Sequence, residues 1–121
     1  MRRKIIALCL IVSLLSACGM FDVDVLTVRE GSFEDYPNTT IGEAFDNFFG
    51  SSSWRSFTAD SGETIVEFTG RCTYMDEEVD ALLQFEILEN DRFEFVHLSL
   101  NDISQNDITK WALIEKVYEG Y

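Results

Sequence analysis

TIVEFTGRCTYMDEEVDALLQFEIL, residues Thr64 to Leu88, keeps a period of two on both sides of one short polar break, and that pattern decides the fold. In its first half Val66, Phe68, Gly70, Cys72 and Tyr74 fall on one side of an extended chain, with Glu67, Thr69, Arg71 and Thr73 on the other. In its second half Ala81, Leu83, Phe85 and Ile87 share a side, while Gln84 and Glu86 point away. MDEE between them is short and acidic. Two strands, Thr64–Met75 and Val79–Leu88, are therefore expected to pair as an antiparallel hairpin.

The rhythm continues outward in both directions. Trp54–Thr58 precedes across DSGE, and Arg92–Leu100 follows across ENDR, which makes four strands of an antiparallel meander. The last of them changes phase: Phe93 and Phe95 alternate in one register, Val96, Leu98 and Leu100 in the other. Either a bulge near Phe95 shifts the phase or both faces are partly covered.

A period of 3.6 flanks the strands. Thr40 to Glu43 forms a T-x-x-E capping box, followed by Ile41, Ala44, Phe45 and Phe48 on one stripe and by Gly50 as a stop. After NDISQ, Asn106 caps a second helix bearing Ile108, Trp111, Ala112, Ile114, Val117 and Tyr118, ending at Gly120. One dry sheet face covered by an N-terminal and a C-terminal helix buries both stripes, so the expected class is α+β. The sheet has four strands, or five if the alternation at Val23, Val25 and Thr27 supplies an edge strand. On this reading residues 18–30 are mainly a short tether and residues 31–121 the single folded domain.

The chain opens differently. Arg2, Arg3 and Lys4 precede the apolar run Ile5–Leu15, which is the layout of an export signal. Those eleven residues are about half of the roughly 20 that a helix needs to span a bilayer. Leu15, Ser16, Ala17 and Cys18 then resemble the bacterial lipobox at each of its four positions. That resemblance implies removal of residues 1–17, a diacylglycerol on the sulfur of Cys18 and an acyl chain on its new amino terminus. Each buried acyl CH₂ is worth about 0.8 kcal/mol, so two or more chains give stable anchoring. Gly19, where an aspartate would hold a Gram-negative lipoprotein in the inner membrane, leans toward the periplasmic face of the outer membrane. In a host without an outer membrane the same anchor leads to the outer face of the cell membrane.

Without residues 1–17 the chain has 104 residues, enough for one core. Six basic residues then face all 22 acidic ones, a net charge of −16. Such a field disfavours nucleic acid and anionic headgroups and favours cationic partners. Of the three cysteines, Cys9 leaves with the signal and Cys18 carries lipid, so Cys72 stands alone on the apolar face as a buried thiol.

Motifs for chemistry are sparse. His97 is the only histidine and, in the phase of Phe93 and Phe95, falls on the aromatic face. The acidic run Asp76, Glu77, Glu78 and Asp80 lacks the glycine and distal glutamate of a calcium loop and reads as a solvated hairpin tip. Ser51–Ser53 and Ser56 lie outside any nucleophile-elbow pattern. No catalytic residue, metal ligand or cofactor is assigned, and no small-molecule substrate is expected.

TIGEAFDNFF, WRSF, IVEFTG, ALLQF, QNDI and EKVYEG resemble, over about residues 26 to 119, a group of small uncharacterised domains in exported or membrane-tethered bacterial proteins. In layout alone the elements are also similar to the small lipoprotein of the outer-membrane β-barrel assembly machine and to the β-lactamase-inhibitor fold. What the resemblance implies is a self-contained envelope module without a transferable activity. The expected function is non-catalytic: binding or stabilising another envelope protein, with an acidic inhibitor of a cationic hydrolase such as lysozyme, or a phage or plasmid exclusion lipoprotein, as the alternatives.

Overall fold

Five antiparallel strands cross the sheet in chain order: β1 (Gly50–Thr58), β2 (Thr64–Tyr74), β3 (Glu77–Ile87), β4 (Phe93–Leu100) and the two-residue β5 (Ile103–Ser104). Three helices accompany them, α1 (Val23–Arg29), α2 (Ile41–Phe48) and α3 (Asp107–Tyr118). The computed structural model describes residues 22–120; the expected export segment 1–17, Cys18 and the start of the expected tether lie outside the described residues.

Short turns set the registers. Met75 and Asp76 both take positive φ, 53° and 67°, between β2 and β3, as do Asn101 and Asp102, 49° and 68°, between β4 and β5. Paired left-handed residues match the right-handed twist of the strands they join, and Asn and Asp tolerate them best. Asn90 and Asp91 do the same within the single helical turn Glu89–Asp91 that links β3 to β4.

The inward positions of the central strands are the expected ones. Val66, Phe68, Ala81, Leu83, Phe85 and Leu98 are buried under the helices together with Cys72. Phe45 from α2 meets Phe68 edge-on at 5.0 Å and Phe85 at 6.3 Å. Burying each such ring is worth about 1.5–3 kcal/mol. Gly70 makes room in this layer, since a Cβ there would lie 2.9 Å from the Phe68 ring and from Phe49 Cβ.

The helix starts are capped by side chains. The Thr40 hydroxyl accepts the Glu43 N–H at 3.2 Å, and Asn106 Oδ1 accepts that of Thr109 at 2.9 Å, as the sequence indicates. Asp22 accepts the Val25 N–H at 2.8 Å with one oxygen and the Ser56 hydroxyl at 2.5 Å with the other, so the start of α1 is tied to β1. Arg29 joins α1 to α2 through both oxygens of Asp46, at 2.8 and 3.2 Å.

Three expectations need correction. Residues 23–29 are neither tether nor edge strand: they form α1, with Val25 and Val28 fully buried on one helical face. β-branched residues favour strands weakly, and the Asp22 cap with burial of two valines outweighs that preference. The fifth strand lies instead at the opposite end, after β4. In α3 the inward stripe is Lys110, Leu113, Ile114, Val117 and Tyr118, whereas Ile108, Trp111 and Ala112 are exposed. Finally, Gln84 pairs with His97 but Phe85 with Phe95, so Val96 is an extra residue in β4. That bulge turns His97 away from the aromatic face onto the opposite one.

Candidate functional site

On the outer face of the sheet Arg55, Glu67, Gln84 and His97 form one row, each the ladder partner of the next. Glu67 accepts Arg55 Nε on one carboxylate oxygen and Gln84 Nε2 on the other, both at 2.8 Å. Burial works to raise the Glu67 pKa, but the hydrogen bonds from Arg55 and Gln84 and the attraction of Arg55 and His97 outweigh it. The carboxyl therefore lies below the ordinary glutamate range and is ionised at neutral pH. His97 Nε2 stands 2.7 Å from Ser99 Oγ at the end of the row. This is a saturated network: its members are occupied with one another, which suits holding strands in register.

Cys72 is a buried free thiol, and burial pushes its pKa up against a smaller pull from Lys116. A protonated buried thiol is a weak nucleophile. Asp76, Glu77, Glu78 and Asp80 stand exposed around the β2–β3 turn, where Glu78 and Asp80 meet Arg71 at 3.2 and 3.5 Å. Among the described residues no group of three metal-ligating side chains converges. Ser51, Ser52 and Ser53 are exposed along β1. No helix among the described residues is long and apolar enough to cross a membrane.

A cleft of about 850 Å³ lies where the loop after α1, the start of β4 and the first turn of α3 converge. Phe33, Phe93, Phe95 and Trp111 supply its aromatic surface. Trp111 is 47% exposed and meets Phe33 and Phe95 edge-on at 5.6 and 5.7 Å, so its ring is held upright while one part stays open to solvent. A second hollow of about 370 Å³ shares Trp111, Phe33 and Glu34 and adds Asp35 and Tyr36.

Charge in the cleft is lopsided. Glu34, Asp91, Glu94 and Asp107 line it, against Arg92 and Lys110. Lys110 is already committed: Nζ donates to the Phe95 carbonyl at 3.1 Å, lies 3.3 Å from Asp107 and sits over the Phe95 ring. Glu94, the ladder partner of Glu86, turns to the outer face of the sheet, whereas Glu34 and Asp91 face solvent beside exposed aromatic surface, an arrangement that suits a cation with an apolar stem.

Sequence reasoning assigned Trp111 to the core stripe and did not single out the acids around it. They come from three segments far apart in the chain, so periodicity within any one segment could not bring them together. The chain matches no protein-family model, no curated protein and no solved structure.

Proposed function

We propose that the protein is a lipid-anchored lipoprotein of the bacterial envelope that binds or steadies another envelope protein and does no chemistry of its own. The observation that carries this reading is the order of features in the first eighteen residues: Arg2, Arg3 and Lys4, the apolar run Ile5–Leu15, then LSAC ending on Cys18. Diacylglycerol and an N-acyl chain on Cys18 would be the only added groups. α1 begins five residues later, and five residues of extended chain reach at most about 18 Å. The globule would thus rest against the bilayer, on the periplasmic face of the outer membrane in a Gram-negative host.

Intact mass of the membrane-extracted protein tests it. A chain beginning at Cys18 and heavier by the acyl groups is expected, and Cys18→Ser should abolish that species. An unlipidated mature chain that still resists washing from the membrane would overturn the reading.

A second reading, an acidic inhibitor of a cationic hydrolase such as lysozyme, is favoured by the acid-lined cleft and by a net charge of −13 for the whole chain. Hydrolysis unchanged by the protein at both low and moderate salt would remove it.

A further inference from the structure

We propose that the cleft beside Trp111 is the partner-binding surface, and that its occupant is an extended basic segment of another polypeptide, a lysine or arginine of which lies against the exposed part of the Trp111 ring. The inference rests on the protein-binding reading above for its setting, but binding at the cleft itself needs no anchor.

Three observations converge. Trp111 presents nearly half of its surface, and two edge-on aromatic contacts fix its orientation. Rigid aromatic side chains with open surface are the usual anchors of protein interfaces. With Lys110 paired to Asp107 and donating to a backbone carbonyl, Glu34 and Asp91 stand against Arg92 on the open side of the cleft. The adjoining hollow adds Asp35 on the other side of Glu34. A basic side chain can pack its methylene stem on the indole, place its charge near the ring and pair its head with Glu34 or Asp91.

The cleft also continues along the molecule. Gly31 and Asp91 are shared with a shallower hollow lined by Val23, Leu26 and Glu30 of α1 and the residue after it. Val23 and Leu26 are exposed there, which gives an extended segment an apolar step beyond the cationic one. Aromatic, acidic and aliphatic surface in one line favours a polypeptide of alternating basic and apolar character over a lone small cation.

The test uses the full chain in mild detergent and a short fluorescein-labelled peptide alternating arginine and leucine, read by anisotropy at physiological ionic strength. Trp111→Ala and the double change Glu34→Gln, Asp91→Asn are each expected to weaken binding about tenfold. The charge-matched double change Asp76→Asn, Glu77→Gln at the hairpin tip is expected to weaken it less than about twofold. Arg92→Gln should strengthen it, a gain that a merely structural role would not produce. All these residues are exposed, and retained thermal unfolding checks that each variant folds.

Equal losses from the cleft and hairpin-tip variants would overturn the proposal in favour of unspecific attraction. So would binding that survives Trp111→Ala, or self-association abolished by Trp111→Ala with no peptide bound, which would make the occupant a second copy. None of these outcomes bears on the mass of the Cys18 species, so failure of the cleft and failure of the anchor are separate results.

Discussion

Phe85 and Phe95 face each other across β3 and β4 with stacked rings 5.3 Å apart, while the next pair along the same strands is Gln84 with His97. One step on β3 is thus matched by two on β4, and Val96 is the residue without a ladder partner. Phe93 and Phe95 on one side of it and Leu98 and Leu100 on the other all turn inward, because the extra residue absorbs the change of phase.

Deleting Val96 should accordingly be tolerated. The shortened strand reads FEFHLSL, a regular alternation that keeps the same inward set and leaves His97 outward. Chemical denaturation is expected to show a change within about 1 kcal/mol. Deleting Gln84 from the unbulged central strand flips half of β3 and should cost more than about 3 kcal/mol. Comparable losses from both deletions would contradict the role given to Val96.

Gly70→Ala should destabilise by about 1–3 kcal/mol, because the new methyl meets the Phe68 ring and Phe49 Cβ at 2.9 Å. Gly50→Ala, with nothing within 4 Å of the added atom, should leave the melting temperature unchanged or slightly raised. The pair of melting curves checks the packing of the aromatic layer directly.

Glu67 sets an acid-side dependence. Its folded pKa is depressed, so its contribution is present above the ordinary glutamate pKa and fades as pH falls through the lower folded value. Glu67→Gln should be less stable than the parent at pH 7, by about 1 kcal/mol given an Arg55 partner that is largely exposed, and the gap should close toward pH 3. A gap that stays constant from pH 7 to about pH 3 would remove the ion pair from the account.

Cys72 should react with iodoacetamide at least about a hundredfold more slowly in the folded protein than in denaturant, since burial hides the thiol and raises its pKa. The raised pKa favours the folded state fully below the unfolded thiol pKa, and that contribution is lost as pH rises toward the folded one. Rapid stoichiometric labelling of the native chain would show that the β2 face opens.

Much of this architecture was readable from local pattern. α2 announced itself through Thr40, Glu43 and a stripe at helical spacing, and the three central strands through alternation with polar turns, because each signal lies within a dozen residues. α1 was not readable: Val23, Val25 and Thr27 alternate as a strand would, and what makes them helical is the Asp22 cap and the burial of Val25 and Val28 against distant segments. His97 was misplaced for a related reason. The phase change in β4 was visible, but only pairing with β3 shows that the shift falls before His97. Trp111 fits the spacing of an apolar stripe equally well, and the neighbours that leave it half open come from the loop around residue 33 and the start of β4. Capping and period are properties of a segment; a cleft is a property of segments brought together.

The sequential order of the strands has a kinetic consequence. Every neighbour in the sheet is reached by a hairpin, so few long loops must close before native contacts begin to form. Assembly can proceed strand by strand as a chain emerges through a narrow channel, with docking of α3 against α2 and the loop at Phe33 and Tyr36 left as the step that reaches across the sequence.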